Sequence, residues 1–165
     1  MNISVIIIEL IILFLLFGFI AIGMLFINPL SFISDYPPEI QEQYYKSQHK
    51  EATKETLTVI MKIKKIIAII VFTFIFAWML HIAGAKNFIE GVLLSYIIIF
   101  LLFAWDTFFL DWVLFANIKR IRLPGTEHMD KEYHQKWFHV KVCFPMIPVF
   151  LIMGILSSLC MIWIW

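Results

Sequence analysis

Two carboxylates, Asp106 and Asp111, stand in an otherwise apolar run, FAWDTFFLDW. Ionisable side chains at membrane depth are candidates for binding a ligand or an ion. More carboxylates and imidazoles follow in TEHMDKEYHQKWFH. Mixed carboxylate and imidazole ligands suit zinc, iron or manganese. The pattern therefore predicts a polar interface, or a divalent-metal site that uses two or three of six candidates: Asp106, Asp111, Glu127, His128, Asp130 and His134.

Basic side chains beside these acids support a second interpretation. Lys119, Arg120 and Arg122 follow directly after the apolar run, so they are expected to pair with the aspartates or to face lipid. Each basic residue at such a position gains about 1 kcal/mol from anionic lipid. The histidines would then lie at a wet interface without a ligand. The sequence leaves both interpretations open.

The geometry of an α-helix separates the two aspartates. Positions five apart diverge by about 140° around the helix, so Asp106 and Asp111 are expected on different faces. Asp106 continues a line through Gly91 and Ser95, whose small side chains suit contact with another helix. Counted from residue 88, Asp106 lies about 27 Å along the helix and Asp111 about 35 Å. Because the hydrocarbon core is about 30 Å thick, both are expected near one membrane interface.

The polar segment after these aspartates is predicted to be helical. Thr126 follows a Pro-Gly turn and is expected to cap a helix that runs toward the last apolar segment. On such a helix the ionisable side chains form two stripes, and one of them should face the aspartates. The stripes are Glu127, Asp130 and His134, and His128, Glu132, Gln135 and His139.

A second set of ionisable residues belongs to the opposite side of the membrane. Glu9, His81, Lys86 and Glu90 fall at comparable depths, with Glu9 about 10 Å below the start of its helix. Glu9 is expected to pair with His81 or Lys86, or else to be protonated or directed outward. A transporter places such groups near the midplane, where this chain has few, so the pattern does not predict a complete proton path.

The composition requires a membrane. Of 165 residues, 62% are hydrophobic and 15% charged, with a mean hydropathy of +0.89, whereas a soluble domain is nearer half apolar and a quarter charged. Four segments are long and apolar enough to cross a bilayer. The predicted fold is an all-α bundle of four transmembrane helices in a single domain, 1–165, with spans at about 3–27, 66–85, 88–115 and 142–165.

The distribution of charge predicts the topology. Of the 13 lysines and arginines, all but Lys86 lie in the connections 28–65 and 116–141. By the positive-inside rule both connections are cytoplasmic, and both termini are then outside. Asp35, before two prolines, is expected to start a solvated helix in the first connection. That helix should become amphipathic over 57–65 and lie along the head groups.

Several classes of function are excluded by what the sequence lacks. Phosphate-binding, serine-hydrolase and zinc-protease motifs are absent. The pattern also argues against a transmembrane haem, because His81 belongs to one side of the membrane and the other four histidines to the opposite side. Since the basic residues flank membrane spans and the net charge is only +1, no nucleic-acid partner is expected.

The segment DWVLFANIKRIRLPGTEHMDKEYHQKWFH resembles the C-terminal half of small, uncharacterised multi-pass membrane proteins of Gram-positive bacteria. The resemblance implies a multi-pass protein of a bacterial-type cell membrane. It carries no assigned activity, so it assigns no catalytic residue and leaves open whether the protein is an enzyme.

Three functional hypotheses follow. The first is a non-enzymatic module that binds membrane lipid, a small solute or a membrane protein partner, including a second copy of itself. The second is a metal-dependent membrane enzyme at the inner leaflet. The third is a small transporter or channel subunit that depends on Glu9.

Overall fold

The computed structural model describes residues 1–48 and 53–165. Within these ranges the chain is helical, without a strand. The helices are α1 (Ile3–Ile27), α2 (Pro38–Gln48), α3 (Thr53–Ile82), α4 (Phe88–Trp105), α5 (Asp130–Tyr133), α6 (Lys136–Cys143) and α7 (Ile147–Ile164). A π-helix, Asp106–Phe115, continues α4, and short 3₁₀ turns cover Pro29–Asp35, Lys119–Ile121 and Phe144–Met146.

Four helical segments are long and apolar enough to cross a membrane, which confirms the predicted fold class. They cover Ile3–Ile27, Lys62–Ile82, Phe88–Phe115 and Lys136–Ile164. The fourth begins six residues earlier than the hydropathy pattern suggested, and the second is part of the longer helix α3. The last combines α6, the turn at Phe144–Met146 and α7, and Pro145 accounts for the interruption because it cannot donate a backbone hydrogen bond.

The structure differs from the prediction for residues 57–65. These residues belong to α3, which runs unbroken into the second span, so they do not form a separate helix along the head groups. Some side chains of the predicted amphipathic face lie outside the described part of the chain. The separate helix of the first connection is α2, which buries Ile40, Tyr44 and Tyr45.

The bundle has two distinct ends. At the turn end, the backbone N–H of Asn2 donates to the carbonyl of Ala83 (2.9 Å), and the His81 ring stacks on Trp165 with centroids 4.9 Å apart. Gly84, with φ +76°, closes the turn between α3 and α4 because a glycine has no Cβ to oppose this conformation. At the loop end lie residues 28–48 and 116–135.

The closest packing in the membrane is between α4 and α7, and small residues permit it. Ser158 donates to the carbonyl of Phe88 (2.8 Å), and Ser95 lies 3.2 Å from the carbonyl oxygen of Gly154. Gly91 and Gly154 face these serines, with no room for a Cβ. The predicted contact face through Gly91 and Ser95 is therefore confirmed, and it is the close approach that small residues allow in membranes.

The loop end has its own core, which we call the loop-end cap: Tyr36, Ile40, Phe115, Ile121, Leu123 and Tyr133. The Tyr36 hydroxyl donates to the carbonyl of Ile121 (2.9 Å). The Tyr133 hydroxyl accepts from the backbone N–H of Leu123 (2.9 Å). Burial raises the pKa of both tyrosines, so each hydroxyl keeps its proton. The cap thereby ties the first connection to the second.

Candidate functional site

A long cavity of about 1080 Å³ lies between α1 and α3 and reaches the π-helix and α6. Its walls are mostly apolar, with Ile12, Leu16, Val71 and Ile75 among them. Eight of the side chains that line the cavity are polar or ionisable: Glu9, Asp35, Lys64, Lys65, Asp106, Asp111, Cys143 and His139. Seven of these are at the loop end, so the cavity has one polar extremity.

The π-helix brings Asp106 and Asp111 to the same cavity. Its backbone hydrogen bonds join residues five apart, as the bond from the N–H of Ala116 to the carbonyl of Asp111 shows. Because such bonds widen each turn, residues five apart lie on nearer faces than in an α-helix, which corrects the expectation that the two aspartates lie on different faces. Both aspartates line the cavity. Such π segments occur frequently at functional sites.

Asp111 is paired with His139 of α6. The Nδ1 atom of His139 lies 3.2 Å from Oδ2 of Asp111, and the Trp112 indole donates to the carbonyl of Lys136 (2.9 Å), which fixes α6 against the π-helix. His139 is only 7% exposed, and its Nε2 has no hydrogen-bond partner. In a neutral ring whose Nδ1–H faces a carboxylate, Nε2 is an acceptor.

Asp106 is the unpaired acid of the site. Across the residues that the structure describes, no basic side chain forms an ion pair with it. At the same end of the cavity, Lys65 pairs with Asp35 (3.1 Å). Lys64 also lines the cavity and is exposed. The polar extremity therefore contains two satisfied pairs and one carboxyl group without a partner.

The six candidates, of which two or three were expected to bind a metal, do not come together. Asp106 and Asp111 line the cavity, but Glu127, His128, Asp130 and His134 do not. The carboxylate of Glu127 accepts from the N–H of Gly125 (3.0 Å), and His128 is exposed. His134 Nδ1 lies 2.7 Å from the carbonyl of Asp130. Over the described ranges, no group of three His, Cys, Asp or Glu residues is arranged to hold a metal ion.

The predicted continuous helix after Thr126 is wrong, and so are the stripes drawn on it. The chain turns at 126–129, forms only the four-residue α5, and breaks at His134 before α6 begins. Thr126 does not cap a helix, since its hydroxyl donates to the carbonyl of Leu123 (2.7 Å) and contacts the Tyr133 hydroxyl. The threonine that was expected to cap a helix therefore forms its hydrogen bonds within the loop-end cap.

Arg122 differs from its predicted role. It was expected to face lipid with Lys119 and Arg120, but its side chain is only 1% exposed. Its guanidinium forms an ion pair with Asp130 (2.6 Å), donates to the carbonyl of Glu127 (2.7 Å) and lies over the Tyr133 ring. Lys119 and Arg120 are exposed. The predicted pairing of Arg122 with Asp106 or Asp111 is replaced by its pairing with Asp130.

Lowering the pH should weaken this ion pair. The hydrogen bond from Arg122 and its positive charge hold the pKa of Asp130 below the ordinary value. An acid whose pKa is lower in the folded state stabilises the fold above its unfolded pKa, about 3.9, and loses that effect as the pH falls through its folded pKa. We expect Asp130→Asn to lower the melting temperature at pH 7 and to have a smaller effect below about pH 4. An equal loss at both pH values would contradict this assignment.

The ionisable residues predicted toward the turn end have separate environments. Glu9 lines the cavity, and its Oε2 is buried without a hydrogen-bond partner. Glu90 accepts from the N–H of Lys86 (2.9 Å) and from the Asn87 amide (3.0 Å), so it caps the start of α4. His81 stacks on Trp165. In the described parts of the chain no ion pair joins Glu9 to His81 or Lys86, which corrects that expectation.

Sequence reasoning missed the central member of the site, His139. It fell on the second predicted stripe, but nothing in the spacing distinguished it from the exposed histidines. Its position four residues before Cys143, at the start of the last span, could have indicated that His139 lies beside the aspartates. Comparison with protein-family models, curated proteins and solved structures finds no match to this chain.

Proposed function

We propose that this multi-pass membrane protein binds a lipid-like amphiphile in the cavity between α1 and α3. The observation that carries the proposal is one long apolar cavity with a polar extremity. An amphiphile has the same distribution of properties, with an apolar chain and a polar head group. The proposal also places the protein in a bacterial-type cell membrane, with the basic loop end in the cytoplasm and both termini outside, on the distribution of lysine and arginine.

The length of the cavity suits an extended chain. Lining residues on α1 run from Val5 to Leu25, a distance of about 30 Å at 1.5 Å per residue. That length is close to the thickness of the hydrocarbon core of a bilayer. An alkyl chain can therefore lie along the apolar walls with its head group at the polar extremity.

Filling the cavity should prevent binding. Val71 lines the cavity and is 48% exposed, whereas its neighbour Ile70 is 52% exposed and does not line it. We expect Val71→Trp to weaken binding of tetraethylene glycol monododecyl ether by about tenfold, because accommodating excess volume costs about 1–3 kcal/mol. Native mass spectrometry, with the protein released from a shorter-chain detergent, measures the dissociation constant.

Ile70→Trp is the matched control, since it adds the same ring on the lipid-facing side of α3. It should bind the ether as the wild-type protein does. Equal binding by both tryptophan variants, or no saturable binding by the wild-type protein, would overturn the proposal. A dimer that dissociates on Val71→Trp would instead indicate that a second copy occupies this face.

A transporter is the second candidate, favoured by the position of Glu9. Its carboxyl group lines the same cavity as Asp106 and Asp111 but lies far toward the turn end. A single cavity with acidic groups at two depths offers two binding positions for one ligand. Flux of the bound amphiphile in proteoliposomes, lost in Glu9→Gln while binding persists, would distinguish transport from binding alone.

A further inference from the structure

The polar extremity of the cavity contains acceptors that lack donors. The Nε2 atom of His139 is buried and unpartnered, on a side chain that is more than nine-tenths buried and lines the cavity. The carboxyl group of Asp106 lines the same region. A buried polar atom without a hydrogen bond is costly, so Nε2 of His139 favours a ligand that brings its own N–H groups.

The charges at this extremity favour a cation. Asp35 is satisfied by Lys65, and Asp111 faces His139. Among the described residues Asp106 has no such partner, and an isolated carboxylate at membrane depth has a high free-energy cost. A ligand with one positive charge and several N–H donors would match Asp106 by charge and Nε2 of His139 by hydrogen bonding.

We propose that the Asp106–Asp111–His139 cluster binds the primary ammonium head group of an amphiphile whose chain lies between α1 and α3. This inference rests on the proposed function and names the class of ligand. A primary ammonium has three donors and no acceptor, so it can bond to Asp106 and Nε2 of His139 together. Asp111 acts as a positioning residue, because its contact with Nδ1 directs the opposite nitrogen of the ring to the ligand.

Other head groups fit less well. A phosphate or sulfate would meet the unpaired carboxyl group of Asp106, with only the exposed Lys64 as a free cation among the described residues that line the cavity. A divalent metal ion would need three suitable ligands, and the described residues offer no such arrangement. A neutral head group would leave Asp106 without an ion-pair partner.

The test compares three amphiphiles with one chain length: dodecylammonium, tetraethylene glycol monododecyl ether and dodecyl sulfate. Dissociation constants are measured on the full chain by native mass spectrometry. The wild-type protein should bind dodecylammonium about tenfold or more tightly than the ether, as hydrogen bonds to charged groups allow. Dodecyl sulfate should bind more weakly than either.

Asp106→Asn should remove the preference for ammonium over the ether. Asp111→Asn, which keeps an oxygen acceptor for His139, should reduce the preference and provides a second test should Asp106→Asn not fold. Glu132→Gln is the matched control, because that acid lies on α5 and does not line the cavity.

The two proposals fail in different ways. Equal binding of all three head groups by the wild-type protein, or a preference that survives both aspartate variants, would overturn the ammonium site and leave the amphiphile cavity intact. A preference for dodecyl sulfate would also overturn it and would assign the head-group contact to Lys64. Absence of saturable binding by every probe would overturn both proposals.

Discussion

Gly154→Leu is expected to destabilise the bundle by about 3 kcal/mol or more, because the added side chain has no space. A Cβ at this position would overlap the ring of Tyr96 and the hydroxyl of Ser95. The close approach of α4 and α7 would be lost, together with the contact of Ser95 with the Gly154 carbonyl. Unfolding of the protein in mixed micelles, titrated with dodecyl sulfate and followed by tryptophan fluorescence, measures the free energy.

Gly23→Leu provides the matched control on α1. A Cβ at Gly23 meets nothing within 4 Å, and leucine has a helix propensity about 0.8 kcal/mol more favourable than glycine. This variant should be as stable as the wild-type protein or slightly more stable. Similar destabilisation by the two leucines would show that helix packing does not determine the effect.

Tyr36→Ala should remove about 4 kcal/mol of stability, the typical loss for a large buried aromatic side chain. Tyr36 is fully buried, its ring packs on Phe115 with centroids 4.9 Å apart, and its hydroxyl bonds to the carbonyl of Ile121. Its loss would leave a void at the centre of the loop-end cap and a carbonyl without its donor. The apparent melting temperature of the solubilised protein is the measurement.

Tyr36→Phe separates the two contributions. It keeps the ring and removes only the hydrogen bond, so a smaller loss of about 1–2 kcal/mol is expected. If the alanine variant were no less stable than the phenylalanine variant, the ring would contribute nothing and the cap would not be a core.

Hydropathy predicted the four spans because the cost of placing charges in lipid depends on composition, which the sequence displays directly. The spacing of small residues also predicted one helix contact correctly. Gly91 and Ser95 recur on one α-helical face, and small residues allow close approach in membranes. Span boundaries were less accurate. The last span begins at Lys136, six residues before its predicted start, and hydropathy does not report where a helix begins outside the apolar run.

The site itself was only partly predictable. Both aspartates were identified, but an α-helical period placed them on different faces. The residue pattern does not indicate that the α-helix becomes a π-helix at Asp106. The environment of Arg122 was missed for a related reason. A basic residue near a membrane ordinarily faces head groups, and only the tertiary contacts with Asp130 and the Tyr133 ring explain its burial.

The pairing of α4 with α7 has a consequence for biosynthesis. The ribosome completes α1, α3 and α4 before α7, so the best-packed helix pair forms only after the other spans have entered the bilayer. Until then Gly91 and Ser95 face lipid or an insertion chaperone. α1, the least buried of the four spans, gains few protein contacts at any stage. Nascent chains arrested before α7 should therefore be recognised by membrane quality control as incomplete, although three of the four spans are already inserted.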